Sequence, residues 1–407
     1  MNAFYDPYKI LIRVYSDGAH LKIALAEEKT DENFLTRTVK IVYGVLENDA
    51  YLSLCIKTFA EKSPKQSVRV VLKIALYAML YLEKPRYAVT NDAAELLKKI
   101  GKGGTVGFVN AFLRRFAREK VCIPEGVEGL SIIYNFPLFA VIKLVEQYGK
   151  RAESILAAKS CGVSVRFIKN REKYLSIQHI DTPFPNVHIF ERFSRDDGFF
   201  AGDYTFQSVG SVAICSVIEP CKELLDACAA PGGKSVLLAK KCGRVMAGEI
   251  HPHRLELIKT YVKRMGAENV APVLSDATQF RADWAEKFDA TLCDVPCSGL
   301  GTTAENPDIA LSKQERDIPQ LNAVQLAIIN NCAKYVKTGG TLYYSTCSIL
   351  REENDDIVQA FLKENSSFTA CGADCPLAHE KTKYGLQFLP DAAYGAGFYV
   401  SKLRRVR

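Results

Sequence analysis

The chain has 407 residues, of which 48% are hydrophobic and 24% charged, a length for two or three domains and a composition for packed globular structure. Its 53 Lys and Arg exceed its 46 Asp and Glu by 7, which permits a polyanionic partner without demanding one. The most apolar stretch, from Val70 to Leu82, is broken by Lys73 and is too short to span a bilayer, so no membrane partner is expected.

In chain order, the start MNAFYDPYKIL lacks a basic segment followed by a long apolar run, and no secretory signal is expected. Residues 38–46, 51–59, 68–81, 90–100 and 106–116 carry apolar side chains at spacings of three and four, which predicts five helices. Thr90 is placed to cap the fourth of them, and Pro64 and Pro85 lie where helices must stop. Residues 1–125 are therefore expected as an all-α bundle. The basic excess lies at this end: residues 1–150 hold 22 basic and 16 acidic side chains, against 31 and 30 in the remainder. Arg114, Arg115, Arg118 and Lys120 are the densest basic group there and the candidate contacts for an anionic partner.

Pro124, Gly126 and Gly129 mark a break, and a helical stretch runs over 137–158. Alternation over 163–169 predicts a strand, and Pro183, Pro185, Gly198 and Gly202 punctuate the residues beyond it. Residues 126–215 are read as a linker and a small α+β segment, expected to serve substrate binding. From 216 to 407 the pattern becomes strand, loop, helix. Strands are expected at 223–227, 244–250, 270–274, 288–293 and 341–345, and helices at 235–241, 251–265, 321–336 and 353–362. Such alternation means an α/β domain around a parallel sheet, with ligands at the carboxyl ends of the strands.

The loops after those strands hold the chemistry. The first runs Asp226-Ala227-Cys228-Ala229-Ala230-Pro231-Gly232-Gly233-Lys234, where small residues let a ligand approach the backbone. A triphosphate loop ending at Gly233-Lys234-Ser235 would need glycine at position 228, where Cys228 stands; a nucleoside-type cofactor is the better reading. Glu249 closes the second strand, where an acid binds ribose hydroxyls. Asp276 comes after the third. The fourth ends Cys293-Asp294-Val295-Pro296-Cys297-Ser298-Gly299 and the fifth Ser345-Thr346-Cys347-Ser348, so two cysteines 50 residues apart could converge on one pocket, with buried structural thiols as the bland reading. The 13 cysteines are an odd number scattered over a long chain, which reads as thiols in a reducing cytoplasm. Cys371, Cys375 and His379 are spaced like metal ligands but lack a fourth, and no metal is expected.

Asp226 to Lys234, Asp294 to Gly299 and Ser345 to Ser348, in this order, resemble the RNA cytosine-5 methyltransferases of the RsmB/Sun group. Phe108-Val109-Asn110-Ala111-Phe112-Leu113-Arg114 and the helices before it resemble the NusB-like RNA-binding domain of bacterial members. The resemblance implies a Rossmann-like catalytic domain with a mixed, mostly parallel sheet behind an all-α NusB-like domain. It implies S-adenosylmethionine held by Cys228, Ala229, Ala230, Pro231, Gly232, Gly233 and Lys234, with Glu249 on its ribose, Asp276 on its adenine side and Asp294 lining the same site. It makes Cys347 the nucleophile that adds to carbon 6 of a cytosine, Cys297 the group that assists release, and Asp294 a third catalytic residue. The implied substrate is small-subunit ribosomal RNA, and the implied state a cytoplasmic monomer. Two departures bear on target choice: Ala304-Glu305-Asn306 precedes Pro307-Asp308 where basic residues are usual, and Gly395-Ala396-Gly397-Phe398-Tyr399 replaces Gly-Asp-Gly-Phe-Phe. A non-catalytic RNA-binding assembly factor with the same fold is the alternative, and the intact Cys297, Cys347 and Asp294 argue against it.

Overall fold

The computed structural model describes residues 2–28 and 32–407. Up to residue 157 the chain is helical: α1 (Tyr5–Asp17), α2 (Leu21–Glu27), α3 (Glu32–Glu47), α4 (Asp49–Phe59), α5 (Gln66–Leu80), α6 (Arg86–Lys99), α7 (Val106–Phe116), α8 (Gly126–Ile133), α9 (Leu138–Tyr148) and α10 (Ala152–Ala157). The five helices expected from apolar spacing are α3 to α7. The centre is α5, which buries Val68 and every residue from Val70 to Ala78. Its Lys73, the charge that interrupts the apolar run, is itself buried and ion-paired with Asp49 of α4, which also accepts from the Tyr15 hydroxyl. A buried ammonium is tolerable because it is paired.

Thr90 does not cap a helix. Pro85 precedes the first residue of α6, so Thr90 lies inside the helix and donates its hydroxyl to Arg86 O at 2.7 Å. With Pro85 as the N-cap, the helix starts five residues earlier than a Thr90 cap would place it.

One compact unit comprises residues 1–156 with 306–314. Side-chain bonds show why α8 and α9 belong with the earlier helices. Asn135, between them, donates from Nδ2 to Leu46 O at 2.7 Å and accepts from Ala50 N at 2.8 Å. Residues 306–314 join through Asp308, which accepts from Leu21 N at 3.2 Å, and through Leu311, packed on the helical core. Among the described residues no single helix is long and apolar enough to cross a membrane.

The second unit comprises residues 157–305 and 315–407. It opens with β1 (Val163–Phe167), β2 (His179–Asp181), β3 (Val187–Phe190), the short α11 (Asp197–Phe200) and β4 (Tyr204–Phe206), whose four strands pair antiparallel in the order β2-β3-β1-β4. Phe167, Phe190 and Tyr204 bury against one another there, with Phe193 and Phe206 around them. Next come α12 (Val209–Val217), β5 (Glu223–Asp226), α13 (Gly233–Leu238), β6 (Arg244–Glu249), α14 (Pro252–Met265), β7 (Val270–Leu274) and β8 (Phe288–Asp294). Beyond α15 (Ile309–Ser312), which lies in the first unit, are α16 (Asp317–Ala333), β9 (Val336–Thr346), α17 (Asp355–Glu364), β10 (Phe368–Cys371), β11 (Glu380–Lys381), β12 (Gly385–Phe388) and β13 (Phe398–Arg405).

The large sheet runs β11-β12-β13-β9-β8-β5-β6-β7, with β10 on β13. Strands β9, β8, β5, β6 and β7 are parallel neighbours, and β10 to β13 add an antiparallel edge. All five expected strands are present. The fifth is longer than expected: the helix expected to reach 336 ends at Ala333, and β9 runs from Val336 to Thr346 with Gly339 at φ +77° inside it. The order reverses between β5 and β8, since β5-β6-β7 step one way and β8-β9 the other. That crevice is where open α/β sheets bind ligands.

Candidate active site

Each candidate side chain sits at or just after the carboxyl end of one of the five parallel strands, so the sheet itself gathers them. At the end of β5, Asp226 is buried; its Oδ2 accepts from Ser235 Oγ at 2.6 Å, while Oδ1 has no hydrogen-bond partner. Burial is the main cause that pushes its carboxyl up to about 6, with the nearby Asp294 charge adding to it.

From Cys228 to Lys234 the chain turns tightly. The Ala230–Pro231 peptide is cis, Gly232 N donates to Ala229 O at 2.7 Å, and Gly232 has φ +105°, where a side chain would be strained. Ala229 N donates to Gly248 O at 2.8 Å, tying the loop to β6. A Cβ on Gly248 would lie 3.1 Å from Ala227 O, a tight contact that glycine avoids. The Cys228 thiol is pushed well up, chiefly by burial, so it packs as a neutral group.

At the end of β6, Glu249 is 3% exposed. Its Oε1 accepts from His251 N at 2.9 Å, and Oε2 faces only Arg254 at 3.7 Å among the described residues. Asp276, after β7, accepts from Thr278 N at 2.8 Å and Thr278 Oγ1 at 2.7 Å through Oδ1. Asp294, closing β8, accepts from Lys234 Nζ at 2.5 Å and from Ser345 Oγ at 2.7 Å. Burial alone would depress the Lys234 ammonium, but the charge and hydrogen bond of Asp294 outweigh it and hold it above its ordinary range. The lysine of the glycine-rich loop is thus committed to Asp294.

Cys297 and Cys347 lie just beyond β8 and β9, adjacent parallel strands, and their sulfurs are 3.1 Å apart. Cys347 N also donates to Cys297 Sγ at 3.3 Å. The Cys297 thiol is pushed well up, first by its hydrogen bond with Cys347 and next by burial.

Beneath the two sulfurs lies a group that sequence reasoning missed. Glu353, fully buried, accepts from Ser298 N at 2.7 Å and Gln325 Nε2 at 3.1 Å through Oε1, and from Ser298 Oγ at 2.6 Å and the Ser348 hydroxyl through Oε2. One carboxylate therefore clamps the residue after Cys297 to the residue after Cys347. Asn354 adds a second tie, accepting from Thr346 Oγ1 at 2.6 Å and donating to Ser348 O at 3.1 Å. The available signal was a Glu-Asn pair a few residues beyond a catalytic-looking turn.

Cys371, Cys375 and His379 are not gathered into a ligating group: Cys375 is buried against Ser216 and Ala213 O, and His379 Nδ1 faces Leu377 O. Of the basic cluster, Arg115 is paired with Glu119 at 2.9 Å and lies over the Phe59 ring. Arg114 projects to a cleft beside α6, and Arg118 and Lys120 lie exposed beyond the end of α7.

The family of 16S rRNA methyltransferases RsmB/F matches residues 217–404, and the NusB family matches residues 8–118. Among solved structures, the crystal structure of PH0851 aligns with a TM-score of 0.85 at 21% identity, covering 99% of this chain and 97% of that one. NSun6 from Pyrococcus horikoshii aligns with a TM-score of 0.59 at 19% identity over 65% of this chain and 97% of that one. Those two likenesses bear on the fold. A ribosomal RNA small subunit methyltransferase B from Escherichia coli K12 is 27% identical over 93% of this chain and 92% of its own length. The probable ribosomal RNA small subunit methyltransferase B of Bacillus subtilis is 30% identical over 97% of this chain and 95% of its own length. With that coverage from end to end, the chain belongs to the RsmB family of small-subunit ribosomal RNA methyltransferases.

Proposed function

We propose that this methyltransferase acts on carbon 5 of a cytosine in small-subunit ribosomal RNA, as a cytoplasmic monomer, with Cys347 attacking, Cys297 freeing the product and Asp294 bracing the base. S-adenosylmethionine, when bound, supplies a methyl group on a sulfonium. The residues present fit that cofactor. A Cβ built on Gly233 would meet Gln207 Nε2 at 3.6 Å, and that buried amide nitrogen has no hydrogen-bond partner, so an unpaired donor lies beside the loop. Glu249 retains an oxygen without a close partner, suited to ribose hydroxyls, and Asp276 stands on the next strand end for the adenine side.

Carbon 5 of cytosine is a weak nucleophile until a thiolate adds at carbon 6 and makes the ring enamine-like. The sulfur pair supports a division of labour. The two sulfurs are close enough for one to attack carbon 6 and the other to serve at carbon 5, and we assign the attack to Cys347, after β9, and the second role to Cys297, after β8. Once Cys347 is bonded to carbon 6, its hydrogen bond with Cys297 is gone, and Cys297 releases its proton to solvent and becomes the thiolate base. It can then take the carbon 5 proton, and elimination restores the ring and the Cys347 thiolate. The Asp294 carboxylate, held by Ser345 and Lys234, offers a charged acceptor to a proton on the ring nitrogen. A stacked base cannot reach such a crevice, so the target cytosine must be unpaired or flipped.

The observation that carries this reading is the 3.1 Å separation of two thiols at adjacent strand ends. Bisulfite sequencing of small-subunit RNA tests it in cells lacking the gene, complemented by wild type or by Cys347→Ala. One protected cytosine should vanish with the gene, return with wild type and stay absent with the variant. Protection restored by Cys347→Ala would overturn the assignment.

A further inference from the structure

The cleft between α6 and α7, about 390 Å³, is lined by Arg86, Tyr87, Thr90 and Asn91 from α6 and by Asn110 and Arg114 from α7. That volume is at the lower end of small-molecule sites. Its chemistry is unusual for a helical surface. Tyr87 is 79% exposed and stacks on no other ring among the described residues. Arg86 and Arg114 are exposed and have no ion-pair partner among the described residues. Asn110 Oδ1 is buried without a hydrogen-bond partner. A buried acceptor left unsatisfied costs free energy unless a donor arrives, so this position is built for a ligand with an N–H or O–H.

These groups match the three faces of a nucleotide. An exposed aromatic ring offers a stacking face, two unpaired guanidinium groups suit a phosphate, and an orphaned amide oxygen suits a base-edge amine. In a duplex the base faces are stacked and the Watson–Crick edges paired, so a paired nucleotide would meet at most the arginines. We propose that this cleft in the helical unit captures one unstacked nucleotide of single-stranded RNA. The proposal rests on the reading that the chain acts on RNA and names a second contact, separate from the thiol pair. It also reassigns the basic cluster: Arg114 works with Arg86 and Tyr87, whereas Arg115 is occupied by Glu119.

The test is fluorescence anisotropy of the full chain with a labelled 12-nucleotide single-stranded RNA, against the same sequence as a duplex. Stacking of a base on an aromatic side chain is worth roughly 1–3 kcal/mol, so Tyr87→Ala should weaken single-strand binding about 5- to 150-fold. Tyr87→Phe should restore it. The double variant Arg86→Glu, Arg114→Glu should weaken binding and flatten the salt dependence by about 0.7 in log–log slope for each phosphate no longer neutralised. Both sites are exposed, so affinity for S-adenosylhomocysteine should stay within about twofold. Three results would each overturn the cleft: Tyr87→Ala binding as wild type does, Tyr87→Phe failing to recover, or the duplex binding as tightly as the single strand. Cytosine methylation of small-subunit RNA by wild type, measured in parallel, separates this from the catalytic reading. Methylation with unaltered variant affinities removes the cleft alone; binding without any 5-methylcytosine removes the catalytic reading alone.

Discussion

Asp226 sets a cost at the heart of the sheet that a single substitution exposes. One of its oxygens is buried without a partner, and burial pushes its carboxyl up to about 6, against about 3.9 for an unfolded aspartate. Between those values the folded chain holds a proton that the unfolded chain has released, so this residue's contribution falls as pH rises from about 4 to 6. Asp226→Asn should therefore stabilise the protein at pH 8, by roughly 3 kcal/mol, and leave it nearly unchanged at pH 4. Urea unfolding at both pH values checks this; an equal difference at the two would show that ionisation is not the cause. The thiols give a second residue-scale prediction. Cys297→Ala should accumulate a covalent RNA adduct through Cys347, seen as a retarded band of labelled RNA on a denaturing gel. An inactive variant with no adduct would contradict the release role. Both cysteines, Asp294 and the glycine-rich loop were legible as motifs because each is a short run of neighbours in sequence. The burden on Asp226 was not, because burial is set by what packs around it.

At the scale of elements, the two turns that carry Cys297 and Cys347 are tied together by a third segment. Glu353 lies just beyond β9, yet its carboxylate receives four donors from three places: Ser298, Ser348 and Gln325. Removing it leaves buried donors unpaired, each costing about 1–3 kcal/mol. Glu353→Ala should destabilise the chain by roughly 3 kcal/mol and cut methyl transfer sharply. Glu353→Gln, which keeps an acceptor and the side-chain length, should lose well under half of that stability. Unfolding and single-turnover methylation on both variants decide it; a glutamine variant as damaged as the alanine one would mean the charge matters more than the clamp. No periodicity announces such a link, since two of its three partner residues are 55 and 28 residues away. The same limit explains which strands were foreseen. The parallel strands β5 to β8 are short apolar runs between helices and read clearly. Edge strands β10 to β13 interleave polar residues, prolines and glycines after Phe368, and pairing defines them: β13 on β9, β10 and β12 on β13, and β11 on β12. The helices α1 and α2 were also missed, although Ile10, Leu11 and Val14 are buried in the helical core.

Across the whole molecule, the units divide the candidate work: every proposed cofactor and thiol residue lies in 157–305 or 315–407, and the α6–α7 cleft lies in 1–156. The sequence drew the first boundary at 125, at the break marked by Pro124 and Gly126. The hydrogen bonds of Asn135 to Leu46 and Ala50 place the helices after that break with the bundle instead. A fragment of residues 1–156 should then fold cooperatively as a helical domain, whereas 1–125 should lose that tie and melt lower. The larger fragment should bind single-stranded RNA weakly, with affinity falling steeply as salt rises, because cationic side chains displace condensed counterions. Residues 157–407 should keep their affinity for S-adenosylhomocysteine within about twofold yet methylate long RNA far less efficiently, having no tethered second site. The absence of that second site predicts a particular kinetic pattern: KM for long RNA should rise steeply, while turnover at saturating RNA changes little. Equal KM values for the fragment and the full chain would show that the helical unit contributes nothing to capture of the substrate.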